Sequence, residues 1–69
     1  MKKEEILEEL AYLRDRLEKL GQLFNMAETA EETESLIYEE KAVMLRYSAV
    51  IREAKRMGLT AEGKEWLKL

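Results

Sequence analysis

Six apolar residues near the start of the chain, Ile6, Leu10, Leu13, Leu17, Leu20 and Phe24, follow one another at spacings of 4, 3, 4, 3 and 4. A strand turns its faces over every second residue, so this pattern cannot line one side of it. A helix advancing about 100° per residue gathers all six within about 80° of arc. Alternation of fours and threes is also the heptad repeat, which asks for near-aligned, left-handed packing against another helix. Leu7, Tyr12 and Leu23 lie outside the seam. Gly21 interrupts the polar side, where it costs about 1 kcal/mol relative to Ala and leaves room for a close approach or a bend.

A partner helix lies within the same chain. Proline is absent, glycine occurs only at 21, 58 and 63, and residues 2–24 and 30–57 are rich in good helix formers. The second segment carries its own seam, Leu36, Val43, Tyr47, Val50, Ala54 and Met57, widened by Met44 and Ile51. Asn25 suits the left-handed conformation that ends a helix. Thr29-Ala30-Glu31-Glu32 fits a capping box, with Thr29 as N-cap and Glu32 reaching back. Glu28, Glu31, Glu32 and Glu34 favour the positive end of the second helix, and Lys55 and Arg56 its negative end. Gly58-Leu59 reads as a Schellman stop. A connection of about five residues makes the helices antiparallel neighbours. The expected fold is therefore all-α, an antiparallel two-helix hairpin over 2–24 and 30–57, forming one domain at 1–59. Residues 60–69 are expected to be a short third helix capped by Thr60 or a flexible tail, with Trp66, Leu67 and Leu69 as its apolar content.

Composition narrows the chemistry. At 69 residues a single core is thin, so self-association or a third packed element is expected. The chain has no Cys and therefore neither disulfides nor thiolate ligands. It has no His, the commonest general base and metal ligand. No apolar stretch approaches the roughly 20 residues that span a bilayer. Met1-Lys2-Lys3-Glu4-Glu5 turns acidic where a signal peptide needs an apolar core, so a cytoplasmic protein is expected. Twelve basic against 15 acidic residues leave a net charge of −3, which argues against nucleic acid as the main partner.

No catalytic constellation emerges. There is no Gly-rich phosphate loop, activated nucleophile or metal-ligand cluster, so no enzyme activity, cofactor, metal or small-molecule substrate is expected. Glu40 falls on the main apolar face between Leu36 and Val43. A buried carboxylate needs a partner or a raised pKa, so Glu40 is expected to stay wet near the tip or to meet Arg16 or Arg46.

The second helix carries a further stripe. Tyr38, Ala42, Leu45 and Ala49 are spaced 4, 3 and 4 and lie nearly opposite the first seam. The first helix covers one side only, which leaves this stripe as scattered surface apolars, a seat for the Trp66 segment, or an interface. The regular spacing and the thin core favour the interface, occupied by a second copy in a homodimeric four-helix bundle or by a partner protein's helix. Charge is polarised along the same helix. Glu28 to Glu40 holds six acids and no base, and Lys41 to Arg56 holds five bases and one acid. The antiparallel fold sets Arg52, Lys55 and Arg56 beside Glu4, Glu5, Glu8 and Glu9, for mutual neutralisation in exposed pairs. The alternative is an anion or nucleic-acid contact through Arg46, Arg52, Lys55 and Arg56, making the chain a nucleic-acid or phosphoprotein accessory.

Phe24-Asn25 before the turn, Leu36-Ile37-Tyr38-Glu39, Ala42, and above all the run Arg46-Tyr47-Ser48-Ala49-Val50-Ile51-Arg52-Glu53-Ala54-Lys55-Arg56-Met57-Gly58-Leu59 resemble the YaaL-like family of small bacterial proteins. With the leucine-rich first helix the resemblance covers residues 5–59. The family has no assigned activity, so the resemblance implies a helical hairpin and transfers no chemistry. The aspartyl-phosphate phosphatases of sporulation signalling are also small hairpins, with Ser-x-x-Leu-Asp on their second helix. Here Ser35 is followed by Tyr38 and Glu39 at those positions, and the motif is missing.

Overall fold

The computed structural model describes residues 2–59. They form two helices, α1 (Lys3–Met26) and α2 (Ala30–Arg56), packed against each other as a hairpin. The expected third helix, with Trp66, lies outside the described residues. The hairpin is 43 Å long and 16 Å in each cross direction. That length is close to what a 27-residue helix spans at about 1.5 Å per residue.

Each helix end is closed by a local device. Lys2 N–H donates to Glu5 Oε1 at 2.8 Å at the start of α1. At the start of α2, Thr29 Oγ1 accepts from Glu32 N–H at 3.1 Å, which is the expected N-cap. The Glu32 carboxylate does not close the box through the backbone. It accepts instead from the Thr29 hydroxyl at 3.0 Å. The end of α2 is a full Schellman motif. Gly58 sits at φ 79°, its N–H donates to Lys55 O at 3.0 Å, and Leu59 N–H donates to Ala54 O at 3.0 Å. This turn brings Leu59 back onto the core.

The first helix runs two residues beyond the expected boundary. Asn25 stays helical, and among the described residues only Gly58 has a positive φ. The chain leaves α1 through extended Ala27, whose N–H donates to Phe24 O at 3.3 Å. The connection is therefore Ala27, Glu28 and Thr29, shorter than expected.

Ile6, Leu10 and Leu13 of α1 and Tyr47, Val50 and Ala54 of α2 make one buried cluster, with Val43, Ile51 and Leu59 packed on its margin. These are seam residues of both helices, brought together by antiparallel pairing. Leu20 is also buried, and Leu17 and Leu36 are half-buried towards the tip. Phe24, expected in the seam, is 42% exposed. In the observed register it lies level with the acidic first turn of α2, whose only apolar side chain is the small Ala30. Met57 and Met44 are exposed for related reasons, the first as the C-cap residue and the second on the flank of α2.

Among the described residues, no heavy atom outside Gly21's own stretch of helix lies within 4 Å of where a Cβ would sit on it. The close approach that its position permitted is not made.

Candidate interaction surface on the outer face of α2

The side of α2 that turns away from α1 carries Tyr38, Ala42, Leu45 and Ala49. Tyr38 is 71% and Leu45 73% exposed, Ala42 is exposed and Ala49 half-buried. Isolated surface apolars are ordinary in folded proteins. Here two large side chains alternate with two alanines along one line of the helix. Beside them runs a shallow groove lined by Glu40, Lys41, Met44, Leu45 and Ser48. The small residues let another backbone come close, and the tyrosine and leucine supply apolar area to bury.

Glu40 belongs to that groove rather than to the core. The heptad count placed it on the apolar face, and it is exposed there, the wet position expected of it. The arginines named as its partners are used by neighbouring carboxylates. Arg16 pairs with Glu39, and Arg46 pairs with Glu9 through Nε to Oε2 at 2.6 Å and Nη2 to Oε1 at 2.7 Å. These two bridges cross between the helices on one side of the hairpin. Seven residues back along α1, from 16 to 9, match seven forward along α2, from 39 to 46, and the signs are exchanged. Each guanidinium gains a charge-assisted hydrogen bond that raises its pKa. The bond from Arg46 holds the Glu9 carboxyl below the ordinary carboxylate range.

The four cations considered for anion binding are not equivalent. Arg46 is held by Glu9, and Arg56 by Glu53 on the same helix, which lowers the Glu53 pKa. Arg52 and Lys55 are exposed, with no ion-pair partner among the described residues. Among the described residues, none of Arg52, Lys55 and Arg56 makes the expected ion pair with Glu4, Glu5, Glu8 or Glu9; Glu9 is taken by Arg46 instead.

A second open groove lies at the tip, lined by Leu23, Met26, Glu31, Glu32, Ser35 and Leu36. Met26 there is 72% exposed. Sequence reasoning missed this groove because Leu23 and Met26 fall outside both seams. The signal available was the extra turn of α1 past Phe24. Among the described residues, no group of three or more acidic side chains converges as metal ligands would. No helix there is long and apolar enough to cross a membrane. Neither a family model, nor a curated protein, nor a solved structure matches the chain.

Proposed function

We propose that this protein is a non-enzymatic interaction module, a cytoplasmic helical hairpin that presents the outer face of α2 to another helix. The observation that carries the reading is the line Tyr38, Ala42, Leu45 and Ala49, regular in spacing and uncovered along most of its length. The thin core supports it, because burying the line adds apolar area that the hairpin alone does not reach. On this reading α1 is the brace and α2 the contact helix. The resemblance to YaaL-like bacterial proteins is compatible with such a role and names no partner.

The test compares proteins captured from a bacterial lysate by the wild-type chain and by Leu45→Glu, with untagged copies of the chain included. A captured species retained by the wild type and lost with Leu45→Glu supports the reading. Identical captured sets for the two baits sink it.

A second reading has one observation in its favour: Arg52 and Lys55 near the end of α2 have no ion-pair partner among the described residues. They would let the chain act as an accessory to nucleic acids or phosphoproteins. That reading requires binding that weakens steeply with salt. The absence of any mobility shift with single- or double-stranded probes at low salt removes its nucleic-acid form.

A further inference from the structure

We infer that the occupant of the outer face of α2 is a second copy of this chain, with the two α2 helices antiparallel about a two-fold axis passing between Val43 and Met44. The inference rests on the reading of that face as a docking surface and adds partner, direction and register.

The shape of the line matches an antiparallel copy of itself. Tyr38 and Ala49 are symmetric about the point between residues 43 and 44, and so are Ala42 and Leu45. A two-fold axis through that point sets each Tyr38 on the second copy's Ala49 and each Leu45 on the second copy's Ala42. Large thus meets small along the whole line, the arrangement that lets helices interdigitate. A parallel pairing sets Tyr38 on Tyr38 and Ala42 on Ala42, which crowds one level and leaves a gap at the next.

Charge selects the same direction. Glu34 and Arg52 lie on one flank of the line, one turn beyond it at either end, and are symmetric about a point within half a residue of the same axis. Both are exposed and neither has an ion-pair partner among the described residues. Antiparallel pairing brings Glu34 to the second copy's Arg52 twice over. More broadly, it lays the acidic stretch from Glu28 to Glu40 along the basic stretch from Lys41 to Arg56. Parallel pairing opposes like with like at every one of these positions. Such juxtaposition is how helical interfaces reject a wrong orientation. Arg46 and Arg56, already held by Glu9 and Glu53, are not required.

The experiment uses the full chain. Light scattering over a dilution series is expected to give a mass about twice the 8.1 kDa of one chain, falling towards one chain on dilution. Glu34→Arg and Arg52→Glu are each expected to raise the dimer dissociation constant about five- to tenfold at low salt. The double variant is expected to return it to within about threefold of wild type, because the pair is only exchanged. Both positions are exposed, so helical content by circular dichroism is expected to stay at the wild-type level.

Direction is read separately, since the chain has no native Cys. Tyr38→Cys and Ala49→Cys, purified apart, mixed and oxidised, are expected to give the mixed disulfide and little of either symmetric one. In the proposed pairing the two copies of residue 38 lie about 16 Å apart along the helix, beyond the roughly 7 Å that a disulfide spans. A monomer at all concentrations overturns the inference, whether the face is then taken by residues 60–69 or by another protein. So does a dimer that yields the symmetric disulfides, or one indifferent to both charge reversals. If the chain is monomeric but Leu45→Glu still loses a captured protein, self-pairing fails and the docking surface stands. If Leu45→Glu changes neither mass nor capture, the surface itself is refuted.

Discussion

Arg46 of α2 holds Glu9 of α1 in a two-pronged grip, Nε on one carboxylate oxygen and Nη2 on the other, at 2.6 and 2.7 Å. The hydrogen bond from Arg46 places the folded pKa of Glu9 below the reference 4.5. A carboxyl whose pKa is depressed by folding stabilises the fold above its unfolded pKa and loses that contribution as pH falls through the folded value. The melting temperature is therefore expected to decline as pH drops from about 5 towards 3. Glu9→Gln should lower stability at neutral pH and flatten that decline. The slope that remains belongs in part to Glu53, held below its ordinary range by Arg56. A slope unchanged by Glu9→Gln would show that the grip is not maintained in solution.

Thr29 caps α2 through Glu32 N–H and has its own hydroxyl engaged by the Glu32 carboxylate. Thr29→Ala removes the acceptor and is expected to lower stability by about 1 kcal/mol, read from the urea midpoint. Thr29→Ser should keep most of it.

The glycines of the two helices call for opposite outcomes. Gly21 lies inside α1 with open space where a Cβ would stand, so Gly21→Ala is expected to stabilise by about 0.5–1 kcal/mol. Gly58 also has open space, but its φ of 79° disfavours any L side chain. Gly58→Ala is expected to destabilise by about 1–2 kcal/mol. Thermal unfolding of both variants tests the pair.

Tyr47 is the aromatic centre of the core, 4% exposed. Burial disfavours its phenolate and raises its pKa above 10.0, with Arg14 opposing in part. A raised folded pKa means that neutral Tyr47 stabilises the hairpin fully up to the unfolded pKa. That contribution is lost as pH rises through the folded value. Phenolate absorbance in a chain carrying Tyr12→Phe and Tyr38→Phe is expected to develop only above pH 10.0, together with loss of helix. A midpoint at or below that value would mean that the core admits water.

Leu10 stands in the middle of the buried cluster at 2% exposed. Leu10→Ala is expected to cost about 2–5 kcal/mol, which in so small a domain is enough to unfold much of the population.

The fold was legible where side chains repeat with the helix period. The seams through Leu10 and Leu13, and through Tyr47, Val50 and Ala54, are the observed core, and Thr29 and Gly58 mark boundaries of α2 because capping is local chemistry. Register was not legible. It depends on a connection whose length shifted when α1 continued through Asn25, and it decides that Phe24 is left 42% exposed and that Arg16 meets Glu39 rather than Glu40. Heptad counting assigned Glu40 to the apolar face, and the cost of burying a carboxylate made it expected to stay wet, which agrees with its exposure. The exposure of Tyr38, Ala42 and Leu45 followed from the sequence because α1 has a single apolar seam to offer.

The exchange of sign between the two cross-helix bridges has a consequence for alignment. A leucine seam is blind to slippage by one heptad, because every knob finds an equivalent hole seven residues away. The bridges are not blind to it. Sliding α2 by seven residues one way sets Arg16 against Arg46 and Glu9 against Glu53, and sliding it the other way keeps an opposite charge for Arg16, in Glu32, but sets Glu9 against Glu39. The two helices therefore carry their mutual alignment as a short code of opposite signs, readable without the loop. α1 and α2 supplied as separate peptides should find the same register that Ala27, Glu28 and Thr29 enforce in the intact chain.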